Sequence, residues 1–137
     1  MRMQLALNVA DLDEAIAFYT KMFATEPAKV RPGYASFAIA DPPLKLVLFA
    51  GAGEPGSINH LGVETASSAE VVAAEARLTA SGLGTTGVDD TRCCYAEKTE
   101  TWVDGPDGQR WEWYVRHGDS EELANVVVAG ATGCCPT

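Results

Sequence analysis

Gln4-Leu5-Ala6-Leu7-Asn8-Val9-Ala10-Asp11-Leu12-Asp13-Glu14-Ala15-Ile16-Ala17-Phe18-Tyr19 changes its hydrophobic period partway along. From Gln4 to Val9 the residues alternate, which predicts a strand. Asp11 is an N-cap residue, and Glu14 three positions later completes a capping-box-like signature. Leu12, Ile16, Tyr19 and Phe23 then share one helical face, which predicts a helix over about 12–23. Strand candidates follow around 28–31, 34–40 and 44–50. Pro32-Gly33, Asp41-Pro42-Pro43 and Gly51-Ala52-Gly53-Glu54-Pro55-Gly56 punctuate them.

The same order then recurs. His60-Leu61-Gly62-Val63-Glu64 reads as a strand, and Ser67 or Ser68 caps a helix near 69–81 that Gly82 stops. Strand candidates around 85–89, 98–103 and 110–116 come next, the last two separated by Asp104-Gly105-Pro106-Asp107-Gly108. Identity between the halves is faint, so the repeat lives in element order. The expected fold class is α+β: two tandem βαβββ modules in a single domain over 1–118. Module one spans 1–50, the joint 51–58 and module two 59–118. The remainder, 119–137, is expected to be a flexible tail ending Gly133-Cys134-Cys135-Pro136-Thr137.

At 137 residues the chain can bury a core without disulfides or structural metal. A net charge of −9 disfavours nucleic acid and anionic membrane surfaces, which call for basic patches. No apolar run approaches the roughly 20 residues of a membrane span. Met1-Arg2-Met3-Gln4-Leu5 runs straight into strand pattern with no room for a signal peptide, so a cytoplasmic protein with reduced thiols is expected.

The cysteines come as two adjacent pairs, Cys93-Cys94 and Cys134-Cys135. Neighbouring residues sit about 3.8 Å apart at Cα, closer than the roughly 4.4–6.8 Å an unstrained disulfide wants. Two adjacent thiols instead grip one soft atom well. The plainer alternative is two small core residues, since free Cys is often simply buried. Within Thr91-Arg92-Cys93-Cys94-Tyr95-Ala96, read as a short polar loop, Arg92 is expected to favour the thiolate.

Paired βαβββ modules resemble the vicinal oxygen chelate superfamily of glyoxalase I, extradiol dioxygenases and bleomycin-resistance proteins. The resemblance covers about 3–116 and implies an open, mixed β-sheet cup that holds a metal. Within it the chain is most similar to the carbon–arsenic lyases that act on trivalent organoarsenicals. The matching pieces are Gln4-Leu5-Ala6-Leu7, Lys29-Val30-Arg31-Pro32-Gly33-Tyr34-Ala35, Pro43-Leu44-Lys45-Leu46-Val47-Leu48, Asn59-His60-Leu61-Gly62-Val63-Glu64 and Cys93-Cys94-Tyr95-Ala96. A cadmium-induced protein group is the nearest confusable relative.

In that family the ligands come from the first and last strands of each module. The resemblance implies Gln4, His60 and Glu112, while the matching place in module one falls near Leu46, which cannot ligate. Imidazole, carboxylate and amide oxygen make a Gln-for-His version of the facial triad of non-haem Fe(II) oxygenases. Each has a plainer role alone: His60 a satisfied core or rim histidine, Glu112 the outward side of a strand, Gln4 nothing in particular. An inward Glu112 needs a cation partner.

The implied function is Fe(II)- and dioxygen-dependent cleavage of the carbon–arsenic bond, giving arsenite and resistance to organoarsenicals. Ni, Co, Mn or Zn are possible substitutes for the iron. Cys93 and Cys94 would hold the arsenic on a swinging segment, about 89–97, hinged at Gly84 and Gly87, with Lys98, Thr99 and Glu100 facing solvent. Tyr95 either closes over an aryl group or simply packs. Cys134 and Cys135 would be accessory thiols. Monomer and homodimer both stay open. The rivals are a non-catalytic soft-metal (cadmium-type) binder, a drug-sequestering protein, and a glyoxalase- or extradiol-type enzyme with incidental cysteines.

Overall fold

A computed structural model describes residues 1–121, 123, 126 and 127. Two compact units emerge, Arg2–Leu61 and Gly62–Thr137, the second also taking Met1.

The first unit holds β1 (Arg2–Val9), α1 (Leu12–Phe23), β2 (Lys29–Arg31), β3 (Tyr34–Ile39) and β4 (Leu44–Ala50). The expected capping is present: the Glu14 backbone N–H donates to Asp11 Oδ1 at 2.9 Å. The strands run β2-β3-β4-β1, with β1 parallel to β4 and the other pairs antiparallel. Alternation gives the sheet two different faces. Ala35, Phe37, Ile39, Leu46 and Leu48 form a buried core against Leu12, Ile16, Tyr19 and Phe23 of α1. The other face carries Gln4, Ala6 and Asn8 beside Lys45, Val47 and Phe49, in the register Gln4↔Lys45. Leu46 therefore belongs to the helix-covered core, and the neighbours of Gln4 along β4 are Lys45 and Val47. The joint closes on β1: the Asn8 N–H donates to Ser57 O at 2.9 Å and the Gly56 N–H to Asn8 O at 2.8 Å.

β5 (Ile58–Glu64) carries the chain into the second unit, with α2 (Ser68–Ala80), β6 (Asp89–Cys93), β7 (Ala96–Asp104), β8 (Arg110–Asp119) and β9 (Val126–Val127). Ser67 is the N-cap of α2. Here the strands run β8-β7-β6-β9, all antiparallel. The βαβββ order thus occurs twice, as expected. Two details differ. The stretch 85–89 makes only an isolated bridge, Thr85↔Val103, before β6 begins at Asp89. Beyond residue 118 the chain keeps working: the Cys94 N–H donates to Leu123 O at 3.0 Å, the Ser120 N–H to Tyr95 O at 3.0 Å, and Val126–Val127 pairs with β6. Cys134 and Cys135 lie outside the described residues.

Candidate functional site

In the first unit, Gln4 and His60 face each other. Gln4 Nε2 lies 3.0 Å from His60 Nε2, and both residues are 2 % exposed. The Phe49 ring lies 6.1 Å from the imidazole, centroid to centroid. Asn59 Oδ1 sits 2.8 Å from the other ring nitrogen, Nδ1. That arrangement suits metal ligation, where the second imidazole nitrogen is held by an oxygen and fixes the ring. The 3.0 Å gap between the facing atoms also matches the edge between neighbouring ligand atoms around a six-coordinate ion with bonds of about 2.1 Å. The amide would turn to offer its oxygen. Among the described residues no three His, Cys, Asp or Glu side chains gather for a metal. The expected set brings only two residues of those types, with the amide as its third member.

In the second unit, Glu112 points inward on β8 and is fully buried. Its cation partner is Lys98, whose Nζ is 3.6 Å from Glu112 Oε2, with both side chains nearly inaccessible. Register explains the meeting. Trp102↔Glu112, Glu100↔Tyr114 and Thr91↔Lys98 are direct cross-strand pairs, so Thr91, Cys93, Lys98, Glu100, Trp102, Glu112 and Tyr114 share one face. All seven are buried.

The expected solvent-facing run Lys98-Thr99-Glu100 is therefore corrected, as these residues are only 4 %, 5 % and 1 % exposed. Lys98 also stands 4.8 Å over the Tyr114 ring. Thr91 Oγ1 donates to Glu100 Oε1 at 3.0 Å. Burial, and then the neighbouring Glu112 carboxylate, push the Glu100 carboxyl up to about 7, against the opposing pull of Lys98 and Thr91. On that face a carboxylate, an ammonium and a carboxyl that keeps its proton to near neutrality lie together. Lys98 and Glu100 were missed at the sequence level; the signal was their alternation with Trp102 in Lys98-Thr99-Glu100-Thr101-Trp102.

Cys93 ends β6 on this face, and Cys94 and Tyr95 form the two-residue turn into Ala96. Both turn residues have positive φ, 53° and 59°, the signature of a tight type I′ hairpin turn. Neither residue is a glycine, so the conformation costs of order 1–2 kcal/mol for each. The expected polar loop at 89–97 is thus a hairpin. Its thiols are buried, Cys93 at 0 % and Cys94 at 5 %, and Tyr95 packs beside them at 7 %. The sulfurs are 3.5 Å apart, wider than the bond of about 2.05 Å in a disulfide. The cation beside them is Lys98, 3.9 Å from Cys93 Sγ. Arg92 faces the opposite side of β6 and pairs with Glu97 at 3.6 Å, which corrects its expected role. His117 is exposed and lies 2.8 Å from Thr99 Oγ1 through its Nε2.

The model of the "Glyoxalase/Bleomycin resistance protein/Dioxygenase superfamily" matches residues 3–113. A trivalent organoarsenical cleaving enzyme of Thermomonospora curvata is 56 % identical over 135 residues, covering 98 % of this chain and 87 % of that protein. The cadmium-induced protein CadI of Mycobacterium tuberculosis is 58 % identical over 124 residues, covering 90 % and 82 %. Among solved structures, the Mn(II)-bound glyoxalase of Novosphingobium aromaticivorans superposes with a TM-score of 0.61 at 19 % identity, over 88 % of this chain and 41 % of that one. That last likeness concerns the fold alone. The doubled βαβββ order, the family match across nearly all of both modules and the identity to curated relatives lead to one conclusion: the chain belongs to the glyoxalase/bleomycin resistance protein/dioxygenase superfamily.

Proposed function

We propose that the protein cleaves the carbon–arsenic bond of trivalent methyl- or arylarsenicals, using Fe(II) and dioxygen. The observation that carries this reading is the thiol pair 3.5 Å apart at the hairpin tip, one sulfur beside Lys98. A soft atom bonded to both sulfurs at about 2.3 Å, the length of a metal–thiolate bond, would subtend an S–X–S angle of about 100°. That angle suits the pyramidal geometry of a trivalent atom. The likeness to an organoarsenical cleaving enzyme over 98 % of the chain supports the same reading.

Binding is an exchange. The two thiols give up their protons and the two hydroxyls of an organoarsenous acid leave as water, so arsenic is held as a dithiolate with its carbon substituent still attached. Lys98 stabilises the developing thiolate on Cys93. The turn has to loosen for the arsenical to enter, since both sulfurs are buried. The positive φ at Cys94 and Tyr95 offsets part of that cost.

Gln4, His60 and Glu112 are the residues that would hold Fe(II), which supplies the redox chemistry with dioxygen. One methylarsenite and one dioxygen give one arsenite and one formaldehyde, a balance that needs no added reductant. Anaerobically purified protein given Fe(II) and methylarsenite, then air, should release arsenite. Arsenite equal to that of a protein-free control would refute the proposal. The likeness to a cadmium-induced protein favours a second reading, soft-metal sequestration. Tight Cd(II) binding with no turnover would select it.

A further inference from the structure

Behind His60 runs a chain of hydrogen bonds whose direction is fixed at its far end. Ser57 Oγ lies at Glu54 O, a backbone carbonyl that can only accept, so the hydroxyl donates there. With its proton committed, Ser57 Oγ must accept from Asn8, 2.9 Å away, which turns the Asn8 amide nitrogen toward Ser57. The Asn8 carbonyl oxygen is then left to accept from Asn59 Nδ2 at 2.9 Å. That turns Asn59 Oδ1 toward the imidazole, 2.8 Å from His60 Nδ1. An amide oxygen cannot donate, so Nδ1 must carry a proton. Every amide orientation along the chain follows from the carbonyl at its start.

We infer that Asn59, Asn8 and Ser57 are positioning residues that lock His60 as the Nδ1–H tautomer and so reserve Nε2 for the metal. The inference rests on the proposed role of His60 as a ligand. The backbone of the joint clamps the same relay, through Asn8 N to Ser57 O and Gly56 N to Asn8 O. Gly53 completes the clamp, because a Cβ there would lie 2.7 Å from Asn8 Nδ2. The segment that joins the modules therefore sets the orientation of a ligand. Asn8 is 6 % exposed and held at both ends of its amide, so it cannot swing clear cheaply.

The test uses metal-free full-length protein labelled with 15N-histidine. The two histidines are told apart with a His117→Gln variant. Long-range 1H–15N correlation should show the Nδ1 of His60 protonated. Asn59→Leu removes the acceptor and Gly53→Ala displaces Asn8 without touching the imidazole. Both should shift the ring toward Nε2–H and weaken Mn(II) binding, read by calorimetry, about 10-fold or more, as loss of such supports does elsewhere. Asn59→Asp keeps an acceptor and should restore both signals.

An unprotonated Nδ1 in the natural chain overturns the inference. So does unchanged Mn(II) affinity in folded Asn59→Leu and Gly53→Ala. No step uses an arsenical, so failure to cleave one would sink the proposed reaction and leave these readouts standing.

Discussion

Replacing Glu100 by Gln gives a prediction whose size follows from the buried face of the second unit. The Glu100 carboxyl is pushed from 4.5 up to about 7, first by burial where water does not reach and then by the negative charge of neighbouring Glu112. Below about pH 4.5 the folded and unfolded chains both hold this proton. Between 4.5 and 7 the unfolded chain releases it and the folded chain keeps it, so stability falls as pH rises. Above 7 the full cost is present, about 3 kcal/mol at 1.36 kcal/mol per pKa unit.

Glu100→Gln keeps an acceptor for Thr91 Oγ1 and has no charge to bury. In urea unfolding with chelator present, the difference between the natural chain and Glu100→Gln should be flat near pH 4. It should then grow to about 3 kcal/mol in favour of the variant by about pH 8. For a chain of this size that corresponds to a gain in Tm of about 10 °C at the alkaline end. Subtracting the two profiles removes the effect of the overall charge of −9. Parallel profiles across this range would refute the argument that Glu100 is buried beside an ionised Glu112.

The same face supports further expectations. Mn(II) or Fe(II) bound through Glu112 should lower the Glu100 titration and shrink the Glu100→Gln difference at about pH 8; an undiminished difference would remove Glu112 from the ligand set. Lys98→Met takes away the ammonium 3.6 Å from Glu112 and should cost about 3–5 kcal/mol at neutral pH by urea unfolding. A loss under 1 kcal/mol would show that the pair is better solvated than its burial indicates. Cys93→Ser and Cys94→Ser should each abolish arsenite release while leaving Mn(II) affinity intact, and full activity in either would take the dithiolate out of the reaction. His60→Ala should lose Mn(II) binding in calorimetry yet still bind methylarsenite.

What the sequence disclosed was what short-range chemistry writes locally. Both helices announced themselves through a cap residue, the first also through a repeating apolar stripe and the second through the glycine that stops it, and α1 came out at Leu12–Phe23, its expected extent. The inward face of Glu112 was legible as an alternative because Trp111, Glu112 and Trp113 alternate. Features set by cross-strand pairing were not. Charged residues are nearly always exposed, so Lys98 and Glu100 read as surface until β8 is laid beside β7. The Cys94-Tyr95 turn lacks the Asn-Gly signature of its type, and so it read as a flexible loop. Arg92 neighbours Cys93 in sequence, but one step along a strand puts it on the other face. The pairing of Val126–Val127 with β6 had no local signal.

These misses share a cause that bears on function. A face meant only to hold a sheet together would carry Val, Leu and Phe, as the α1-covered face of the first unit does. The second unit instead buries an ammonium, two carboxyl groups, a threonine hydroxyl and a thiol on one surface, and none of these contributes to stability as an apolar side chain would. Glu100 is held near 7, where exposure would let it ionise freely, and the hairpin tip sits in a conformation that most residues avoid. Local rules broken together, on one face and around one lysine, mark a site kept for its chemistry at the expense of stability. If the Glu100→Gln and Lys98→Met variants left stability unchanged, that cost would not exist and the face would lose its claim to be a site.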